Sequence, residues 1–293
     1  MGSPYQIAIR GRLVVIGKEP DGDSVGFRPD DPGNLGLLAR SYRIHPSPDG
    51  AVQLRFEAVD APELHYGTAA QPCGATSRDA LLRWIGFTSV DYEDSRPNRV
   101  AMSTPDAVPA VVFSVAADPH GRPVSYVLVD AGEWPEDGAW TYVDEQLLAR
   151  TLNARLLGDG MAYPTFYTST PEQHRRQLRD LARDARDATR GVWKADDTAD
   201  FQLVDQASIG PDGQLILPKL FRRATDYLKD MARGFRGNLS DWLVANAATP
   251  SRQENDVVVV GDRVEVPLSA LLEQQNARVR LQPDLFDIVF VEK

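Results

Sequence analysis

The chain has 293 residues and a mass of 32.3 kDa, with 42% hydrophobic and 25% charged residues, the proportions of a soluble globular protein of one large or two ordinary domains. No apolar run approaches the roughly 20 residues of a membrane span, and the single cysteine, Cys73, excludes an internal disulfide and a cysteine-based metal cluster. With 42 acidic against 32 basic side chains, the net charge of −10 has the wrong sign for a bulk nucleic-acid binder, so any polyanion must be held by a local basic patch or a bound cation.

The start, Met1-Gly2-Ser3-Pro4, has neither the basic flank nor the apolar core of a secretory signal, which gives a cytoplasmic location as the expectation. Residues 5–16 read as a long first strand, and Asp21-Gly22-Asp23 turns it back toward a second strand beginning at Ser24. A Pro/Gly/Asp-rich excursion over 28–50 reads as a long loop or extended hairpin. The decapeptide Leu54 to Glu63 then runs a short strand straight into two acids separated by a proline. Pro62 cannot donate to a ladder and forces Ala61 into an extended conformation, so the strand should end at Asp60. The Asp60 carboxylate, the Ala61 carbonyl and the Glu63 carboxylate then leave one strand end together, a set that suits a hard cation and an activated water. Arg55 has the opposite strand parity to Asp60, so both can serve one site only if a bulge or bend lies between them.

Residues 76–87 have helical spacing after a polar start at Thr76-Ser77, with Cys73 read as a small packed hydrophobe just before them. Residues 91–108 read as polar and irregular. Strands are expected over 111–115 and 124–129, flanking a turn that contains Gly121-Arg122, and two helical segments over 143–157 and 171–189, the second opening with Thr170-Pro171-Glu172-Gln173. Gly191-Val192-Trp193 closes that helix. The four histidines, His45, His65, His120 and His174, fall at no zinc-ligand spacing.

Asp21 to Val25, Leu54-Arg55 through Asp60-Ala61-Pro62-Glu63, Gly121-Arg122, Thr170 to His174 and Gly191-Val192-Trp193 occur in the order and on the elements that resemble the staphylococcal nuclease (thermonuclease) family, over about residues 5–197. The resemblance implies an α+β fold, a five-stranded, partly open Greek-key barrel of the oligonucleotide-binding type with packed helices. It also implies calcium-dependent hydrolysis of phosphodiesters in DNA and RNA. Asp23 and Asp60 match the carboxylate ligands of the calcium, with the Ala61 carbonyl as a third protein oxygen. Glu63 matches the residue that positions or deprotonates the attacking water, Arg55 and Arg122 match the two guanidinium groups that grip the phosphate, and Asp21 matches an acid that tunes the site. Tyr163, Phe166 and Tyr167 can each be aligned to the aromatic wall that stacks on a base. Pro119 and His120 stand where the best-known members have lysine and tyrosine. The chemistry gives its own reason for these residue types, because planar, permanently charged arginine forks suit a phosphate whose oxygens gain charge as water adds. A non-catalytic scaffold of the same descent that binds nucleic acid or protein is the alternative reading.

The acidity persists up to Ala199, with 21 basic and 28 acidic residues giving −7. Residues 1–199 are therefore read as the nuclease-like domain and 200–293 as a smaller α+β domain without a recognisable motif. In the latter, residues 217–235 have the spacing of one amphipathic helix, with Lys219, Arg222, Arg223, Lys229, Arg233 and Arg236 along its other face. That face is either solvated or extends a substrate track. A hairpin over 257–266 and a last strand over 286–291 complete the expectation, with no membrane contact and no identifiable protein partner.

Overall fold

In the computed structural model, which describes residues 2–129, 132–247, 254–261 and 264–292, the first strand β1 (Tyr5–Val14) is buried over nearly its whole length because it has partners along both edges. It pairs antiparallel with β2 (Gly26–Pro29), and residues 30–51 return through two short 3-10 turns, Pro32–Leu37 and Ser41–Arg43, to β3 (Val52–Gln53). Leu54 alone separates β3 from β4 (Arg55–Phe56). A bend at Glu57-Ala58, with Ala58 in the left-handed region at φ 62°, leads to β5 (Val59–Asp60).

Helix α1 (Gly74–Ile85) begins two residues before the polar pair read as its start, with Cys73 in the left-handed conformation at its entry. The polar stretch expected to be irregular is instead a hairpin, β6 (Ser89–Glu93) with β7 (Arg96–Thr104), bulged near Tyr92. Strands β8 (Ala107–Ala117) and β9 (Pro123–Leu128) follow, and β10 (Trp140–Tyr142) adds to the outer part of β1. The single helix expected over 143–157 is two, α2 (Glu145–Ala149) and α3 (Leu152–Gly158), because Asp144 and Thr151 each cap a new helix start by accepting from Leu147 N–H and Ala154 N–H.

The sheet runs β3-β2-β1-β8-β9-β4. Its two ends, β3 and β4, are halves of one five-residue segment, so the sheet closes on itself as a five-stranded barrel with β10 appended. This is the oligonucleotide-binding type of fold expected from the sequence. Strands β11 (Tyr163–Pro164) and β12 (Phe166–Tyr167) and helix α4 (Glu172–Asp187) pack beside it, β11 pairing with β5.

The remainder is α+β. Strands β13 (Asp200–Gln202), β14 (Val257–Val260), β15 (Val264–Pro267), β16 (Leu272–Gln275), β17 (Arg278–Leu281) and β18 (Ile288–Phe290) belong to two small sheets, accompanied by helices α5 (Pro218–Ala232) and α6 (Leu239–Ala245). The turn of the expected 257–266 hairpin at Asp262-Arg263 lies outside the described residues. One sheet has the order β12-β18-β14-β15, so its edge strand β12 comes from the barrel half of the chain. The buried apolar side chains of both halves form one continuous cluster, in which Phe286 stacks at 5.4 Å on Trp193.

Candidate functional site

The turn after β1 brings the first acids to the barrel wall. Gly22 is required there by space: a Cβ at that position would lie 2.3 Å from Ser77 Oγ and 2.6 Å from Ala61 Cβ. The turn is thereby pressed against α1 and the end of β5, and the Asp23 carboxylate accepts from Ala61 N–H at 3.3 Å. Burial, then the neighbouring Asp60, pushes the Asp23 carboxyl above the usual carboxylate range, while Arg55 and Arg122 pull it back. Asp21 is pushed up to about 8 by burial and by the charges of Asp23 and Glu63.

The decapeptide supplies the rest. The bend at Glu57-Ala58 breaks strand parity, so Arg55 and Asp60 face the same site, as the sequence required. Asn153 on α3 holds that bend: its Nδ2 donates to Glu57 O at 2.9 Å and to Ser125 O at 3.0 Å, while its Oδ1 accepts from Val127 N–H at 3.0 Å. Asp60 is 1% exposed. Arg55 lies within the fields of Asp60, Asp23 and the Tyr167 hydroxyl; burial works against its charge, and these groups outweigh it. Gln71 fixes Glu63 through both backbone groups, with Glu63 N–H donating to Gln71 Oε1 at 3.1 Å and Gln71 N–H to Glu63 O at 2.9 Å. Burial raises the Glu63 carboxyl to about 6 against the lowering effect of Arg222.

Arg222 comes from α5, the helix whose basic face was read as solvated or substrate-binding. Its Nη2 donates to both oxygens of Asp60 at 3.1 Å, and its Nη1 is paired with Glu63. Burial disfavours its charge, but Asp60 and Glu63 more than offset this and hold its pKa above that of an ordinary arginine. One turn earlier, Lys219 donates to Tyr167 Oη at 3.0 Å and stands 3.5 Å from Asp256. The helix face was legible as basic; that it reaches the acids of the decapeptide was not, because the sequence pattern says nothing of how α5 docks. Gln71 and Asn153 gave no sequence signal, since each acts through backbone groups distant in the chain.

Arg122 is committed to the turn that carries it, its guanidinium donating to Asp118 Oδ2 at 2.8 Å, yet its charge reaches Asp23. The three aromatics separate. Tyr163 is fully buried, edge-on to Trp193 and donating to Asp196 Oδ1 at 2.9 Å, and Phe166 is buried beneath Arg179. Neither is placed to stack on a base, because β11 and β12 turn both rings into the core. Tyr167 lines a cavity of about 220 Å³ together with Arg55, Asp118, His120, Lys219 and Arg223.

Among the described residues no group of three or more His, Cys, Asp or Glu side chains could hold a metal ion. Two carboxylates, Asp23 and Asp60, and the Ala61 carbonyl remain as hard oxygen donors, a set that suits calcium when water and phosphate complete the shell. The positive charge that Asp60 and Glu63 meet is the Arg222 guanidinium, which pairs with both. Among the described residues no helix is long and apolar enough to cross a membrane.

Residues 53–195 match the model of the family described as staphylococcal nuclease homologue. The match begins after Asp21 and Asp23 and ends before Arg222. No curated protein matches the sequence.

Proposed function

Residues 53–195 form a domain of the staphylococcal nuclease family, and from that premise we propose that the chain hydrolyses phosphodiester bonds in DNA or RNA with calcium held by Asp23, Asp60 and the Ala61 carbonyl. The observation that carries the proposal is the convergence of Asp23, Asp60 and Glu63 with Arg55 around one bent strand, a cluster too costly in buried charge to serve the fold alone. Bound there, calcium would supply positive charge beside the phosphate and acidify a bound water. The chain's own groups do the rest. Arg55 and Arg122 aim guanidinium charge at the phosphate oxygens, where negative charge grows as water adds. Glu63, at about 6, is mostly ionised at neutral pH and strong enough as a base to take the proton of the attacking water. Tyr167 lines the cavity beside Arg55, within reach of a substrate held by that guanidinium.

The test is digestion of single-stranded DNA and RNA in calcium and in chelator, by the natural chain and by Asp60→Ala. Cleavage is expected with calcium, not with chelator, and not from Asp60→Ala, whose loss removes a ligand from a site with few. Full calcium-dependent activity in that variant would remove Asp60 from the site. One observation favours a second reading, an inactive scaffold: Arg222 already engages Asp60 and Glu63. That reading requires that no divalent ion support cleavage, even when Arg222 is replaced.

A further inference from the structure

We infer that Arg222 is a tethered competitor of the metal, an intramolecular cation that holds the acids of the site in a closed state and must leave them before calcium binds. The inference rests on the nuclease reading above and concerns the regulation of that same site. A single guanidinium takes both oxygens of Asp60 and reaches Glu63. It therefore withholds a metal ligand and the proposed base at once. Neither is a rim contact: the Asp60 side chain is 2% exposed and that of Arg222 is 21% exposed.

The helix that carries Arg222 is seated independently of it. Leu220, Phe221, Ala224 and Tyr227 bury its apolar face in the common core. Arg223 binds Glu254 and Asp256, Tyr66 Oη donates to Asp226 Oδ2 at 2.6 Å, and Gln71 Nε2 donates to Ile216 O at 2.7 Å just before the helix. With the backbone so anchored, release needs only a change of rotamers in one long side chain. The closed arrangement also meets the acids with monovalent charge only. Arg222 brings one positive charge to Asp60 and Glu63, and Arg55 one more toward Asp60 and Asp23, against the four acids Asp21, Asp23, Asp60 and Glu63. A divalent ion satisfies that cluster better, so the contact is displaceable. Because the competitor is attached to the fold, its effective concentration is high and constant, and calcium affinity falls in proportion to the closed fraction.

Calcium binding to the full-length chain in the absence of substrate is the direct test, by calorimetric titration and by the calcium-induced rise in melting temperature. Arg222→Gln is expected to bind calcium about tenfold or more tightly than the natural chain and to melt lower without calcium, recovering as it is added. Arg222→Lys retains the charge but loses the fork, so the helix stays docked while affinity rises by a smaller factor. Equal calcium affinities in all three proteins, with cleavage intact, would overturn the inference and leave the nuclease reading standing. If none of the three binds calcium or cleaves nucleic acid, the nuclease reading itself fails and the inference falls with it.

Discussion

Glu63 and Arg122 are the two residues whose proposed roles can be separated from their structural ones. Glu63 is held in place by Gln71 through backbone bonds, so Glu63→Gln keeps the loop and removes only the carboxylate. Turnover of a short substrate is expected to fall by about 10² or more, the size of a lost general base. Arg122→Ala is expected to lose as much through absent charge at the phosphate, because the turn it leaves survives: Asp118 Oδ1 still accepts from His120 N–H and from the backbone N–H of residue 122, both at 2.9 Å. Single-turnover rates with unchanged melting temperatures check both. Losses of only a few fold in both variants would favour the scaffold. Pro119 and His120 show why side chains near a recognised motif cannot be carried over wholesale. The turn keeps its arginine and lacks the lysine and tyrosine, while a lysine reaches Tyr167 from a helix a hundred residues away.

At the scale of elements, the site depends on a strand that stops being one. If residues 54–60 ran straight, Arg55 and Asp60 would face opposite sides of the sheet. The bend at Glu57-Ala58 reunites them, and Asn153 holds it from α3. Asn153→Ala would take the Asn153 partner from Glu57 O and Val127 N–H and leave Ser125 O with Glu57 N–H at 2.9 Å as its remaining donor, at about 1–3 kcal/mol for each group left unpaired where water cannot reach. A loss of about 3 kcal/mol or more in chemical denaturation is expected, with activity falling further than stability alone explains. A second element contact is pH-sensitive. His174 on α4 donates from Nε2 to Val143 O at 2.8 Å and accepts at Nδ1 from Tyr126 Oη at 3.0 Å, and burial lowers its pKa. The unfolded chain therefore takes up a proton below about 6.5 that the folded chain resists, so stability is present above that pH and falls as pH drops through it, by at most about 1.4 kcal/mol per unit. Replacing His174 by Gln should flatten the slope of stability between pH 7 and 5; an unchanged slope would assign it to other groups. The barrel and its acids were legible in the sequence because strand periodicity, the Asp-Gly turn and Pro62 act locally. The hairpin of β6 and β7 was not, because its alternation carries polar residues on both faces of an exposed ribbon. The break between α2 and α3 was marked only by two caps, Asp144 and Thr151, inside an otherwise continuous apolar pattern.

For the whole molecule, the question is whether residues 200–293 are an appendage or part of one body, and it bears on the charge conflict read from the sequence. The first part of the basic face of α5, Lys219, Arg222 and Arg223, does not lie open to a substrate. Lys219 and Arg223 pair with Asp256, Arg222 with Asp60 and Glu63, Lys229 with Asp226 and Arg233 with Asp230. Its charge therefore balances the protein's own acids, and an extended substrate track along it would need those pairs broken. The apolar contacts point the same way. Strand β12 has its parallel partner in β18, Trp193 is covered by Phe286, and Arg183 and Arg186 reach Asp287 and Asp284. Removing residues 200–293 would bare Phe166 and Trp193, leave the β12 edge unpaired, and expose a continuous apolar face where burying each large side chain contributes about 1.5–3 kcal/mol. Against a total stability of about 5–15 kcal/mol, that loss is decisive. The truncated chain 1–199 is expected to melt far below the full-length protein or to aggregate on expression, without the selective loss of long-strand cleavage that a substrate-track role predicts. A truncated chain with native melting temperature and a reduced salt slope on single strands would reverse this, showing that the barrel closes its core alone and that α5 lends its charge to nucleic acid.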